Sequence, residues 1–183
     1  ALVAARLALS EKDRAENVMI VDLMRNDLSR VCEDASIDVP VLCGIESYAG
    51  IHHLVSVVTG RLAAGRDAID AVAAAFPGGS ITGAPKIRAQ EIITALEGHG
   101  RGVYCGSIGF IGDDGAMDMN IAIRTVVFRA GEATFSVGGG ITALSEPAAE
   151  FDETLVKAAR ILAAAGGAAT ASPPRDGARE AAE

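Results

Sequence analysis

Phe76-Pro77-Gly78-Gly79-Ser80-Ile81-Thr82-Gly83-Ala84-Pro85-Lys86 is the stretch on which the reading of this chain turns. Asp67 to Phe76 reads as a short Ala-rich helix that Pro77-Gly78-Gly79 closes. Pro85 lacks the N–H that a first helical turn leaves unpaired, so a second helix starts there and runs to about Glu97. Three glycines and two hydroxyls just ahead of a helix gather backbone N–H groups, side-chain O–H groups and the positive end of a helix dipole. Such a place suits a carboxylate or a phosphate. The run lacks the GK[ST] ending of a phosphate-binding P-loop and the GxGxxG of a dinucleotide fold. By itself it reads more readily as a flexible loop followed by a helix cap.

Upstream, Ser10 with Asp13 three residues on resembles a capping box, and Val18, Ile20, Val21, Met24 and Leu28 recur at helical spacing. A helix from Lys12 to Val31 follows. Ser36 to Leu42 and His52 to Leu62 are β-branched and read as strands. In the second, alternation puts His53, Val55 and Val57 on one face and leaves His52 on the other, exposed. Downstream, Tyr104 to Ile111, Met119 to Arg129 and Ala133 to Val137 read as strands, with Asp114-Gly115 a hairpin turn. A last helix spans Pro147 to Ala165, capped by Ser145. Strands joined by tight turns and interrupted by segregated helices predict an α+β fold, antiparallel sheets with helices packed outside, over a doubly wound one.

Half of the 183 residues are hydrophobic, ample for a core. The chain carries a formal net charge of −8 with its basic residues scattered singly, which excludes a nucleic-acid footprint and a polybasic membrane anchor. No apolar run approaches the ~18 residues of a membrane span and no signal peptide opens the chain, so the expected compartment is cytoplasmic. Cys32, Cys43 and Cys105 fit neither a zinc site nor a redox pair and are expected as buried, reduced thiols. Glycine is the outlier, 21 residues where average usage is about 7%, and it clusters at Gly78 to Gly83 and Gly138 to Gly140. Residues 1–165 form the expected folded part. Residues 166–183, without periodicity, are expected as a disordered tail. The chain opens on Ala1 without an initiator Met and reads as a fragment of a longer polypeptide.

Several residues suggest chemistry. On the last helix Glu150, Glu153 and Lys157 fall at i, i+3 and i+7, with Phe151, Leu155, Ala158 and Leu162 on the side expected to pack. Two carboxylates one turn apart suit a hard cation such as Mg²⁺, though by themselves they read more readily as a solvated face with a Glu153–Lys157 ion pair. Asp13 and Glu16 repeat the spacing near a helix start, where carboxylates are favoured anyway. His53 stands on a strand face. Tyr104 and Arg124 offer a hydroxyl and a planar fork to a carboxylate. As a set they suit a small polyanionic metabolite bound partly through a metal.

The motifs resemble the chorismate-utilising enzymes from Ser10 to Ala165. They are Asp13-Arg14-Ala15-Glu16-Asn17, Val21 to Leu28, His53-Leu54-Val55-Ser56, the Gly78 to Lys86 run, Tyr104 to Phe110, Asn120 to Thr125, Gly138-Gly139-Gly140-Ile141 and Glu150-Phe151-Asp152-Glu153-Thr154. The Phe76 to Lys86 run and Cys105 to Gly109 are most similar to the aminodeoxychorismate synthase component I branch. Anthranilate synthase component I usually reads Ala-Gly-Thr and Leu/Val-Ser-Gly over Gly78 to Gly83.

The resemblance implies the C-terminal part of a chorismate-binding domain. When complete, it converts chorismate to 4-amino-4-deoxychorismate with Mg²⁺ and ammonia from a glutamine amidotransferase subunit. It implies Glu16, Glu150 and Glu153 as Mg²⁺ ligands, with Asp13 acting through a water. It implies Ser80 and Lys157 near the ring carboxylate and Tyr104, Arg124, Gly138 and Gly140 at the enolpyruvyl carboxylate. His53 would serve as the catalytic group near the C4 hydroxyl. The branch's Pro-Ile-Lys-Gly-Thr motif, whose Lys is the proposed nucleophile, does not occur in this sequence. The chain alone is therefore expected to be inactive or nearly so, with anthranilate synthase component I and a non-catalytic chorismate-binding remnant as the alternatives.

Overall fold

The computed structural model describes residues 2–49 and 51–166. Beyond Gly166, the expected tail lies outside the described residues. The chain divides into two compact units, residues 1–89 with 108–120, and residues 90–107 with 121–183.

In the first unit, helix α1 (Leu2–Leu9) precedes helix α2 (Glu11–Leu28). Ser10 between them is extended, and its hydroxyl oxygen accepts the Asp13 N–H at 3.3 Å, so the N-cap half of the expected capping box is present, while the Ser10 N–H donates to the Leu7 carbonyl at 3.2 Å rather than to Asp13. Leu2 to Leu9 is apolar nearly all round and carries no stripe of helical period, so α1 is not legible in the sequence. Strand β1 (Asp38–Tyr48) pairs antiparallel with β2 (Ile51–Thr59), Glu46 opposite His53. β1 runs six residues past its expected end at Leu42, through a Cys-Gly pair that looks like a turn. The pairing is irregular on either side of Val41, and Cys43 takes a left-handed φ of 55°. There the Cys43 N–H donates to the Ser56 hydroxyl at 2.9 Å instead of to a carbonyl.

Ser56 donates in turn to Asn17 Oδ1 at 2.5 Å, and Asn17 Nδ2 donates to the Leu54 carbonyl at 3.1 Å. One amide thus ties α2 to the hairpin. Val31, Cys32 and Ala74 form the buried core of this unit, with Leu28 and Ile37 packed against it. Helix α3 (Ala68–Ala75) starts at a reciprocal capping box between Asp67 and Asp70. Strands β3 (Gly109–Ile111) and β4 (Met117–Met119) make the expected hairpin, Gly115 supplying a φ of +83°.

Helix α4 (Lys86–Glu97) leads into the second unit. There β5 (Val126–Arg129) and β6 (Glu132–Phe135) pair around Ala130-Gly131, both at positive φ, as a two-residue hairpin turn requires. The strands expected from Tyr104 and into Arg124 are shorter than read: left-handed Cys105 (φ 64°) and Arg124 (φ 52°) interrupt them. Ladder pairing is replaced by two hydrogen bonds, Cys105 N–H to Ala122 O at 3.0 Å and Ala122 N–H to Gly106 O at 2.8 Å, about a fully buried Ala122. Helix α5 (Pro147–Ala164) has Glu146 at its N-cap and Pro147 in its first turn. Ser145 is therefore not its cap. The three cysteines are free and buried. Among the described residues no helix is long and apolar enough to cross a membrane.

Candidate functional site

The two-bond bridge at Ala122 sets Tyr104 and Arg124 on neighbouring segments of the second unit. With Ile123, Ser136, Val137, Gly138 and Lys157 they line a cavity of about 80 Å³. Its lining holds a guanidinium, an ammonium, a phenol and a serine hydroxyl, and no carboxylate. Such a wall accepts an anion. Four residues named from sequence converge there, while Gly140 stands two residues beyond the lining.

The Tyr104 phenol lies against Gly138, where an added Cβ would sit 2.7 Å from its oxygen. Lys157 Nζ donates to the Gly138 carbonyl at 3.2 Å and pairs with Glu153 at 2.6 Å. Burial raises the pKa of Tyr104 above its ordinary 10.0, with Cys105 adding to the shift, so the phenol stays protonated and able to donate. Behind it, the Arg101 guanidinium stands 5.7 Å from the ring centroid and grips both Glu97 oxygens from its Nε. That contact lowers the pKa of Glu97. Tyr104 and Ser136 also line a larger cavity of about 520 Å³ reaching to Arg101, Thr125 and Arg129.

On α5 the acidic residues behave differently from one another. Glu150 is 5% exposed, whereas Glu153 is exposed. Ser145 donates to Glu150 Oε1 at 2.6 Å while its own oxygen accepts the Thr142 N–H at 2.9 Å. Gly139 leaves open the space beside that carboxylate, since a Cβ there would lie 3.2 Å from Oε2. The buried residues of α5 are Glu150 and Ala158, with Lys157 half-buried beside them. Phe151, expected to pack, is 51% exposed. Glu150, buried and oriented, and Glu153 one turn along offer the oxygen chemistry that a hard cation takes, but Lys157 engages Glu153 and among the described residues no three acidic, His or Cys side chains gather to hold a metal ion.

In the first unit the expected residues occupy three elements. Asp13 and Glu16 are on α2, His53 is on β2 and Ser80 is in a 3-10 turn, Gly79–Ile81. His53 is exposed and meets Tyr48 edge-on, ring centroids 5.9 Å apart. His52, expected to be the exposed one, is half-buried with Nδ1 2.8 Å from the Ser47 hydroxyl. Tyr48 donates to Glu46 at 2.7 Å, on the residue opposite His53.

A family model described as chorismate binding enzyme matches residues 2–163. The chain belongs to that family. It is 56% identical over 162 residues to aminodeoxychorismate synthase component 1 of Klebsiella aerogenes, covering 88% of this chain and 36% of that protein. It is 53% identical over 158 residues to anthranilate synthase component 1 of Streptomyces coelicolor, covering 86% of this chain and 31% of the relative. The crystal structure of anthranilate synthase component I from Streptococcus pneumoniae superposes with a TM-score of 0.79 at 43% identity, over 85% of this chain and 36% of that one. The chain thus spans about a third of the length of the relatives it matches here.

In this member of the chorismate binding enzyme family the supporting contacts are not announced by the motifs: Glu97 and Arg101 behind Tyr104, Ser145 on Glu150, Asn17 between α2 and the hairpin. Arg101 sits four residues after Glu97, a spacing that signals a helical ion pair. The other contacts join residues far apart or off-helix and leave no such trace.

Proposed function

We propose that this chain carries chorismate-binding residues of an aminodeoxychorismate synthase component I. What supports the reading most is the small cavity whose wall of Tyr104, Arg124, Gly138 and Lys157 is cationic and free of carboxylates. Chorismate bears two carboxylates, and a chain of net charge −8 needs such local positive groups to hold one. In this reading Arg124 and the Tyr104 hydroxyl take the enolpyruvyl carboxylate with backbone N–H groups near Gly138 and Gly140, and Lys157 and Ser80 serve the ring carboxylate. Glu150 and Glu153 contribute Mg²⁺ ligands from α5, and Asp13 and Glu16 those expected from α2. The cation supplies positive charge to the substrate carboxylate when bound.

The reaction replaces the C4 hydroxyl: the C4–O bond breaks, ammonia forms the C4–N bond, and water leaves. His53 delivers the proton that makes the hydroxyl a leaving group. A separate glutaminase subunit supplies the ammonia. The nucleophilic Lys has no counterpart in this sequence, so the chain by itself binds chorismate without turning it over.

Calorimetric titration of the chain with chorismate, with and without Mg²⁺, tests this. Mg²⁺-dependent binding without product is expected, and no binding in either condition overturns the reading. The 53% identity to an anthranilate synthase component 1 favours a second reading. Chromatography of the product formed by the gene's full-length protein with excess ammonium separates the two, since anthranilate as sole product would select the second.

A further inference from the structure

Asp27 is the largest side chain in the described residues that is completely buried, at 1% exposure. Its Oδ2 accepts a hydrogen bond at 2.5 Å from Nζ of Lys86, itself 17% exposed, and the same ammonium approaches the Ala75 carbonyl at 3.4 Å. Neither charge helps its own helix. Asp27 lies in the last turn of α2, where the dipole disfavours an anion, and Lys86 is the first residue of α4, where it disfavours a cation. Desolvating both also makes a buried pair a poor source of stability. The pair therefore has a use that local structure does not supply.

That use is visible in what it brackets. Between Ala75 and Lys86 the chain makes a turn that is anchored from Gly78 to Thr82. Gly79 is buried so closely against Leu23 of α2 that a Cβ would lie 2.8 Å from the leucine Cβ. The Thr82 hydroxyl donates to the Gly78 carbonyl at 2.9 Å, and the Ile81 and Thr82 amides close on Gly78 and Gly79. Ser80, between buried Gly79 and half-buried Ile81, is exposed. The turn holds its neighbours inward and presents one hydroxyl to the outside.

We propose that Asp27 and Lys86 are positioning residues: a buried electrostatic clamp of set length that fixes the 77–85 turn on α2 and thereby aims Ser80 at its ligand. The ligand half of this rests on the chorismate reading above; the clamp itself does not.

The test is the double variant Asp27→Asn/Lys86→Met, which removes both charges at similar volume. It is measured by thermal melting, by amide hydrogen exchange at Ile81 and Thr82, and by chorismate titration in Mg²⁺ beside Ser80→Ala. A clamp predicts a melting temperature near that of the parent chain and faster exchange confined to the turn. It also predicts affinity weakened about tenfold, as for a lost positioned contact, with Ser80→Ala adding nothing further in that background. Unchanged exchange in the turn overturns the clamp. Faster exchange with full affinity overturns the link to Ser80. Faster exchange in a chain whose parent binds no chorismate leaves the clamp standing and rejects the functional reading alone. Should the double variant fail to fold, Lys86→Arg decides: a pair serving stability alone tolerates the longer cation with the turn still protected, whereas a clamp of set length shows faster exchange at Ile81 and Thr82.

Discussion

The phenolic oxygen of Tyr104 rests on the α-carbon of Gly138, so closely that a methyl group there would stand 2.7 Å from the oxygen and 3.9 Å from the ring carbon that bears it. The glycine is required by the tyrosine's hydroxyl. Gly138→Ala is expected to displace the phenol and cost about 1–3 kcal/mol in chemical denaturation, the usual scale for overpacking. Gly138→Ala/Tyr104→Phe should recover most of that loss, because only ordinary contact at 3.9 Å then remains. Additive losses in the double-mutant cycle would show that the two residues do not meet.

Glu150 is the buried carboxylate that Ser145 orients. Glu150→Gln should weaken chorismate binding in Mg²⁺ by at least about 10-fold while leaving metal-free binding unchanged, because the amide is a poor ligand for a hard cation. Ser145→Ala should produce a smaller loss of the same Mg²⁺-dependent kind. Titration calorimetry across Mg²⁺ concentrations reads both, and an affinity indifferent to Mg²⁺ in the parent chain would remove Glu150 from the metal site.

Ser56 serves a backbone N–H that the irregular pairing of β1 turns away from its ladder. Ser56→Ala leaves the Cys43 amide without its hydroxyl partner and leaves Asn17 Oδ1 only the weak Cys43 thiol donor at 3.4 Å. The expected loss is about 1–3 kcal/mol in urea unfolding. Asn17→Ala should cost less in the Ser56→Ala background than in the parent chain, since the two act as one network.

The chain has two tyrosines and no tryptophan, so its phenolate absorbance reports on Tyr48 and Tyr104 alone. Both are shifted above 10.0, Tyr48 chiefly by its hydrogen bond to Glu46 and Tyr104 chiefly by burial. Each folded-state pKa lies above its unfolded value, so the associated stability is whole below pH 10 and is lost as pH rises through the folded pKa. Spectrophotometric titration should find both midpoints above that of the unfolded chain in denaturant. In Tyr104→Phe the single remaining transition belongs to Tyr48, and an unshifted midpoint there would contradict its bond to Glu46.

Local patterns were legible wherever a signal is carried by near neighbours. The Ser10 cap, the Asp114-Gly115 hairpin and the start of the last helix all appear in the folded chain where spacing puts them, whereas of the α2 stripe only Val21 is buried and Val18 is exposed. The misreadings share a cause. Cys43-Gly44 and Cys105 look like strand ends or strand interiors according to composition, yet their left-handed cysteines and close-packed glycine answer to partners on other segments. Phe151 was assigned inward by hydrophobicity, but the packed side of α5 faces the glycine-rich segment and holds Glu150 and Lys157.

The amino-acid sequence alone therefore determined the α+β class, the helices and hairpins with local caps and turns, and the residue types that an anion and a hard cation would need. Tertiary structure decided which of them act together: that Tyr104, Arg124, Gly138 and Lys157 share one small cavity, that Glu150 is buried while Glu153 is exposed, and that Asp27 reaches Lys86 across 59 positions. The reason is physical. Caps, turns and periodicity are energies between residues a few positions apart, whereas burial, desolvation and the choice of ion-pair partner depend on distances that exist only once the chain has closed on itself.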